Sequence, residues 1–209
     1  MQLTKLGHSC VHLSKNGSSL VIDPGVWSGP DGLAGAQAVL VTHEHNDHVD
    51  PDALRAALTA DDALELWSTA SLAEQFGEFG RRVHAVSHGD TFSAAGFDVH
   101  VYGRDHARIV PQLPVIANVG FGVDGRVFHP GDSFTIPEDR FATVLVPVSA
   151  PWLKFSEAAD FIGATALDRG YAIHDAILSN DGLGLITNLL KLVSGGKVTR
   201  VEPGTTVEI

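Results

Sequence analysis

The sequence contains a single cysteine, Cys10, so the chain cannot form an internal disulfide. Because its neighbour Val11 is apolar, we expect Cys10 to be a small buried side chain and not a nucleophile. Residues 1–6 lack the long apolar core of a secretion signal, and no run approaches the ~20 apolar residues that cross a bilayer. We therefore expect a cytoplasmic protein with no membrane partner.

Basic residues are also scarce. The chain has 14 Lys and Arg against 25 Asp and Glu, a formal net charge of −11, whereas nucleic-acid-binding proteins use basic surfaces to displace counterions. Hydrophobic residues make up 44% of the chain and charged residues only 19%, which is typical of a folded globule. With no Ser-, Gly- or Pro-rich linker, the length predicts a single domain over residues 1–209. We expect a small-molecule substrate and no nucleic acid, and homo-oligomerisation stays open.

What the sequence does contain is a dense group of histidines and aspartates in the segment Thr42–Asp50, directly after the apolar run Ala38–Val41. Imidazole nitrogens and carboxylate oxygens are the ligands of borderline divalent metals such as zinc. The eleven histidines are spread along the chain, so the group is not part of a low-complexity tract. Buried polar side chains at a strand end are costly without a purpose, and the pattern therefore predicts a metal centre.

The segment from His43 to His48 resembles the His-x-His-x-Asp-His signature of the metallo-β-lactamase fold superfamily. The resemblance implies an α/β fold class, a four-layer αββα sandwich. It also implies a site for two metals. In that family the first two histidines and a later one hold one metal, the Asp-His pair and another histidine hold the second, and a further aspartate bridges them. The motif then supplies His43, His45, Asp47 and His48 as metal ligands.

Three downstream positions resemble the remaining ligands, and each follows an apolar or β-rich segment. They are His106, Asp132 in the Gly-Asp-Ser turn, and His174. Strand ends that converge on one edge of a sheet are where α/β folds hold ligands. His106 competes with Asp105 and with His100, but His100 alternates with apolar neighbours and is expected to face solvent. Asp132 could instead bond its own turn, and His174 could be a core histidine.

Further polar residues are candidates for substrate binding. His8 resembles a Gly-His-Ser element of the small metal-dependent hydrolases grouped with ascorbate-6-phosphate lactonase, where it would lie near the pocket; simple hairpin polarity is equally open. Lys154 could meet a substrate phosphate or carboxylate beside an apolar wall formed by Trp152, although loop charges are more often only solvated. His129 could support the site through a hydrogen bond or serve structure alone, and Asp23 resembles a structural Asp-Pro element of the family.

Strand-like and helix-like segments alternate along the chain. Strands are predicted at 2–6, 10–13 and 19–22, with an Asn-Gly turn between the last two. Asp50 as N-cap and Pro51 at the first helical position predict a helix that begins beside the metal ligands. A strand at 115–123 and helices at 71–76, 156–168 and 183–193 follow. The last helix presents an apolar stripe of Leu183, Ile186, Leu190 and Val193.

Two divalent ions about 3.5–4 Å apart can share a water and lower its pKa toward ~7. The resemblance therefore implies a hydrolase that uses a metal-bridged hydroxide to cleave a small-molecule ester, lactone or phosphoester. Asp47 would be catalytic, because it holds one metal and fixes the hydroxide. The cluster offers no thiolate, so Zn²⁺ is expected, with Mn²⁺ or Fe²⁺ as alternatives. The alternative function is a regulatory or sensing module with vestigial hydrolysis, although a structural zinc site needs no bridging carboxylate.

Overall fold

The strands form two seven-stranded mixed sheets in a computed structural model that describes residues 1–29 and 31–209. In chain order the strands are β1 (Gln2–Gly7), β2 (Cys10–Lys15), β3 (Ser18–Ile22), β4 (Ala38–Val41), β5 (Glu65–Ser68), β6 (Val83–Ala85), β7 (Thr91–Ala94), β8 (Phe97–Tyr102), β9 (Gly120–Val123), β10 (Val127–His129), β11 (Thr143–Pro147), β12 (Arg169–Ile173), β13 (Val198–Thr199) and β14 (Thr206–Glu208). The helices are α1 (Pro51–Ala60), α2 (Ala70–Gln75), α3 (Phe155–Ala164) and α4 (Asn180–Ser194), with a 3₁₀ segment at Gly77–Arg82.

The spatial order of the first sheet is β14-β1-β2-β3-β4-β5-β6, and that of the second is β13-β12-β11-β10-β9-β8-β7. The strands from β3 to β6 and from β10 to β13 run parallel, and the remaining neighbours are antiparallel. Parallel neighbours need a crossover connection. Helix α1 connects β4 to β5, α3 connects β11 to β12, and α4 connects β12 to β13.

Alternating side chains along each strand separate three apolar clusters. Leu20 and Ile22 point between the two sheets, whereas Val21 packs on the outer face of the first sheet with Leu54 and Leu58 of α1. The second sheet repeats this pattern, with Leu145 facing inward and its neighbours outward, because side chains in a strand alternate between faces. Its outer cluster contains Val144, Val146, Phe161, Ile162, Ile186 and Leu190. The layers are therefore helix, sheet, sheet and helix, which confirms the predicted αββα sandwich.

Helix α1 begins as predicted. The Asp50 carboxylate accepts hydrogen bonds from the backbone N–H groups of Asp52 and Ala53, at 3.1 and 3.0 Å, and Pro51 occupies the first turn. These contacts satisfy N–H groups that have no partner inside the helix. Helix α1 therefore begins three residues after His48, directly beyond the predicted ligand segment.

Two of the predicted elements are shorter in the structure than the sequence indicated. The strand predicted at 115–123 is limited to Gly120–Val123, because the preceding residues turn to hydrogen-bond with Arg104 and to bring Asn118 under Asp132. Helix α3 ends at Ala164 rather than at residue 168. Immediately after it, the Thr165 hydroxyl donates a hydrogen bond to the Phe161 carbonyl in the last turn.

The apolar stripe of α4 is narrower than predicted, since Ile186 and Leu190 are buried while Val193 is 39% exposed. In the described part of the chain, each helix is too short or too polar to cross a membrane.

Candidate metal centre

The predicted ligands come from four connections that meet at one edge of the two sheets. The segment from His43 to His48 follows β4, His106 lies four residues after β8, Asp132 follows β10, and His174 directly follows β12. The structure places all seven of these side chains, with His8 as an eighth, in two groups of four, each with potential ligand atoms within 4.8 Å of one another. The first group contains His43, His45, His106 and Asp132, and the second contains His8, Asp47, His48 and His174.

Asp132 lies between the two groups. Its Oδ1 is 3.0 Å from His48 Nε2, and its Oδ2 is 3.3 Å from His106 Nε2 and 3.2 Å from His174 Nε2. Asn118 accepts a hydrogen bond from the Asp132 backbone N–H at 2.9 Å, and Trp152 Nε1 donates to Asp132 Oδ2 at 2.8 Å. A carboxylate held in this way can contact ligands of both groups, which is the position of the predicted bridging aspartate.

The other ring nitrogens of the buried histidines have partners that set their tautomers. His106 Nδ1 contacts the carbonyl of Ala107, and His174 Nδ1 contacts the carbonyl of Ser149. Because a carbonyl can only accept, each Nδ1 carries the proton and donates it. Nε2 of each ring therefore faces the cluster and is the atom that can bind a metal once it carries no proton, which is how proteins orient histidines for a metal.

Asp23, which is completely buried, contacts His48 directly and is connected to His43 through Thr42. His48 Nδ1 donates to Asp23 Oδ2 at 2.6 Å, while the Thr42 hydroxyl donates to the same carboxylate at 2.8 Å and contacts His43 Nδ1 at 3.0 Å. Sequence reasoning assigned Asp23 to structure and overlooked Thr42 and Asn118. Their polar character was visible in the sequence, but their proximity to the ligands depends on the packing of β3, β4 and the turn before β9.

The unpartnered atoms of the clustered side chains are of the kinds that bind a divalent cation. Among the described residues, the buried side-chain atoms without a hydrogen-bond partner include His48 Nε2, His106 Nε2, His174 Nε2 and Asp132 Oδ1. His48 Nε2 and Asp132 Oδ1 lie 3.0 Å apart, yet their orientation does not form a hydrogen bond. A buried polar atom without a partner costs about 1–3 kcal/mol. Four such atoms, all nitrogen or carboxylate oxygen and all in one cluster, are the donor set that a divalent cation would satisfy.

Charge in the cluster favours a cation as well. Burial opposes ionisation of Asp132, but the neighbouring imidazoles of His48, His106 and His174 hold its pKa well below the ordinary range. Burial by itself would lower the pKa of His174, but the nearby carboxylates of Asp132 and Asp47 outweigh this effect and raise that pKa to about 9. Burial lowers the pKa of His43 well below its usual value, so this imidazole is neutral. The carboxylates are therefore ionised and attract positive charge, which a proton on His174 or a metal ion can supply.

His8 lies in the turn between β1 and β2 with a positive φ of 48°. Its Nε2 is 3.2 Å from Asp47 Oδ2, and its Nδ1 accepts the backbone N–H of Ala176 at 3.3 Å. Because Nδ1 accepts, the proton of the neutral ring is on Nε2 and points to Asp47. The structure thus places His8 beside the ligands, as a hydrogen-bond donor to one of them.

A glycine allows the close approach of two segments at this site. A Cβ on Gly25 would lie 2.0 Å from the carbonyl oxygen of Asp47, a distance that no side chain can occupy. The Asp-Pro-Gly segment after β3 therefore packs directly against the ligand loop. Val26 N–H donates to the Asn46 carbonyl at 2.9 Å and ties the two segments together.

The other residues that the sequence analysis considered for the site have different surroundings. Trp152 is 9% exposed and packs beside His106 and His174, with ring centroids 6.1 and 6.4 Å away. Lys154 is exposed immediately before α3, where its backbone N–H donates to the Glu157 carboxylate at 3.2 Å, and its contact with a substrate anion stays a prediction. His129 donates Nε2–H to the Ser9 carbonyl at 2.8 Å. His100 is exposed, as predicted.

Comparison with known proteins agrees with this arrangement. Residues 2–167 match the family model described as the beta-lactamase superfamily domain. Protein Rv0786c of Mycobacterium tuberculosis is 39% identical over 191 residues, which cover 88% of this chain and 89% of that protein. A UPF0173 metal-dependent hydrolase of Natranaerobius thermophilus is 30% identical over 151 residues, which cover 64% of this chain and 61% of that protein.

A solved structure shows the same fold. The metallo-beta-lactamase fold protein YhfI from Bacillus subtilis has a TM-score of 0.76 at 18% identity, with 99% of each chain covered. The family model extends over most of the present chain, and the order of layers and ligand segments is the one that the histidine motif predicted. The chain therefore belongs to the β-lactamase superfamily, with the metallo-β-lactamase fold, and is an enzyme of the metal-dependent hydrolase type.

Proposed function

We propose that this hydrolase cleaves a small-molecule ester, lactone or phosphoester with two divalent metal ions, for which zinc is the expected element. His43, His45 and His106 would hold one ion, and Asp47, His48 and His174 the other, with Asp132 shared between them. The observation that carries the proposal is the set of buried, unpartnered atoms on His48, His106, His174 and Asp132. When bound, a pair of such ions lowers the pKa of a water and polarises the substrate oxygen.

The two carboxylates of the cluster differ in access to water, and this difference suggests their roles. The Asp132 side chain is 4% exposed and is held by Trp152 and Asn118, so it keeps one position. The Asp47 side chain is 21% exposed and accepts a hydrogen bond from His8. Asp47 can therefore orient an attacking water by a hydrogen bond, while His8 keeps its carboxylate oriented.

The experiment must distinguish the hydrolase from the alternative function, a sensing module with the same metal ligands. The purified protein would be stripped with a chelator, reloaded with Zn²⁺, Mn²⁺ or Fe²⁺, and analysed for metal content. Each form would be assayed with p-nitrophenyl butyrate, a thiolactone and bis(p-nitrophenyl) phosphate. Near two ions per chain and metal-dependent turnover would support the hydrolase, whereas one tightly held ion without turnover would favour sensing.

His45→Ala and His100→Ala form a matched pair for this assay. Both remove an imidazole, but His45 belongs to the first group of ligands and His100 is exposed on β8. We expect His45→Ala to lower metal content and turnover together, while His100→Ala keeps both. Equal behaviour of the two variants would contradict the proposed ligand set.

A further inference from the structure

A cleft of about 740 Å³ opens beside the metal cluster. Its lining includes Trp152, whose Nε1 donates to Asp132 and whose ring packs beside His106 and His174. One side chain therefore separates the cleft from the cluster and contacts both. A volume of this size is typical of small-molecule sites. A substrate whose scissile bond lies at the cluster would place its neighbouring group in this cleft.

Apolar side chains form a wall of the cleft that already exists without a ligand. Phe134 packs against Trp152 and against Phe161, with ring centroids 5.3 Å apart in both cases. Ile136 is 45% exposed and lines the same cleft, with Ala164 at the end of α3. Aromatic rings in mutual contact keep their positions, so an apolar group can be buried here at little conformational cost.

The charges around this wall are mostly negative. Asp105, Glu157 and Asp160 line the cleft, and the single basic residue in its described lining is Arg108. Three carboxylates against one guanidinium leave two negative charges in excess. Lys154, the cation expected to meet a phosphate or carboxylate, is not among the lining residues. A substrate that carries an anion in the cleft would therefore meet net repulsion from the side chains of the lining.

We propose that the cleft selects uncharged or cationic substrates with an apolar group, and disfavours those whose neighbouring group carries a carboxylate or phosphate. This inference rests on the proposed hydrolysis and narrows it to neutral or cationic esters and lactones. The apolar wall supplies affinity through burial of substrate surface. The carboxylates supply discrimination, since their field acts on the charge of the group that the wall accommodates.

Matched substrates test the selection directly. The zinc-loaded protein would be assayed with p-nitrophenyl butyrate, with the hemisuccinate ester that carries a carboxylate, and with the 4-trimethylammoniobutyrate ester that carries a cation. We expect kcat/KM for the neutral and cationic esters to exceed that for the anionic ester by about tenfold at low ionic strength, and the ratio to shrink as salt screens the carboxylates. Equal rates, or a preference for the hemisuccinate, would overturn the inference.

A pair of charge-reversal variants tests whether the carboxylates of the cleft cause the selection. Asp160→Lys changes a lining carboxylate on α3, whereas Glu74→Lys makes the same change at an exposed helical residue on α2, in the opposite helix layer. We expect Asp160→Lys to lower the preference for the cationic over the anionic ester about fivefold and Glu74→Lys to change it less than twofold. The same change in both variants would show that overall charge, and not the cleft, is responsible.

A binding measurement makes the test independent of turnover. Calorimetry would compare hexyltrimethylammonium with 1-hexanol, which has an equal chain and no charge, on the zinc-loaded protein. Asp160→Lys should weaken the cation about fivefold and leave hexanol within twofold, with Glu74→Lys as the reference. Failure of this pattern overturns the cleft inference alone. If the binding pattern holds but none of the substrates is hydrolysed, the hydrolase proposal fails while the cleft preference stands.

Discussion

Lys5 Nζ lies 2.7 Å from Asp175 Oδ2 at a point where the two side chains are only 1% and 5% exposed. Lys5 belongs to β1 of the first sheet, and Asp175 follows His174 at the end of β12 in the second. Lys5 also donates to the Ala172 carbonyl at 3.0 Å, and Arg200 Nε donates to the same Asp175 oxygen at 2.7 Å. This buried pair therefore connects the two sheets directly beside a proposed metal ligand.

Replacement of Lys5 by Met should destabilise the protein and loosen His174. The substitution leaves the buried Asp175 carboxylate with Arg200 alone, and loss of one partner of a buried pair costs roughly 3–5 kcal/mol. Denaturant unfolding of the chelator-treated protein measures the loss. Lys15→Met is the matched control, because Lys15 pairs with Asp124 at a partly exposed position and should cost less than about 1 kcal/mol. An equal loss in both variants would contradict the role given to the buried pair.

Asp132→Asn should lower both metal content and turnover. The amide keeps the size of the side chain but loses the charge that faces His48, His106 and His174. Since the loss of a residue that only supports a ligand costs about 10–100-fold, we expect a fall of more than about 100-fold in turnover. Metal analysis and kcat/KM are the measurements, with Asp168→Asn at an exposed site as control. Retention of two ions at full activity would exclude Asp132 as the shared ligand.

Replacement of Trp152 by Phe separates its hydrogen bond to Asp132 from its role as an apolar wall of the cleft. Phenylalanine retains an apolar ring in the cleft but cannot donate to Asp132 Oδ2. We expect about a tenfold or greater loss of kcat or of metal affinity, because the carboxylate is no longer held by a hydrogen bond. The KM for neutral esters should change little. A change confined to KM would show instead that Trp152 acts only as a wall.

The pH dependence of metal binding follows from the charge of the metal-free cluster. Although burial opposes it, the nearby Asp132 and Asp47 carboxylates raise the pKa of His174 to about 9, so the ring carries a second proton, on Nε2, at neutral pH. A metal must displace this proton, and its affinity should therefore rise as the pH increases toward 9. Although burial opposes it as well, the Asp132 and Asp23 carboxylates also raise the pKa of His48 well above its usual value. Calorimetry in buffers of different ionisation enthalpy counts the protons released, which we expect to number about two at pH 7.5. Binding without proton release would contradict the protonated state.

We expect the free energy of unfolding to fall in alkaline solution because of the buried Cys10 thiol. Burial raises the pKa of its thiol from 9.0 to about 12. Below pH 9 the thiol is protonated in both the folded and the unfolded chain and does not affect stability. Between pH 9 and 12 only the unfolded chain releases the proton, so the free energy of unfolding falls by about 1.4 kcal/mol per pH unit. Unfolding at pH 8 and 10.5 should show this difference in the wild type but not in Cys10→Ala.

The same burial predicts that a thiol reagent at pH 8 reacts slowly with the folded protein and fully after denaturation. Cys10 is 0% exposed. Rapid labelling of the folded chain would contradict both the buried position and the raised pKa of this thiol.

Much of the fold followed from local patterns. The Asn16-Gly17 turn signal predicted the hairpin of β2 and β3, and Asp50 with Pro51 predicted the start of α1, since both depend only on neighbouring residues. The strand predicted at 115–123 was too long because residues before Gly120 are held by Arg104 and Asp105 across the site. Contacts with distant segments override β propensity there.

The sequence by itself determined the chemical identity of the candidate ligands, because the types and spacing of His43, His45, Asp47 and His48 are properties of the chain alone. Only the tertiary structure decided which of their atoms are left without partners, since Asp23, Ser149 and Trp152 reach the ligands from other elements. The negative cleft beside Trp152 arises in the same way. Charge and burial at a point in space depend on segments that packing brings together, and such proximity is not contained in any local pattern.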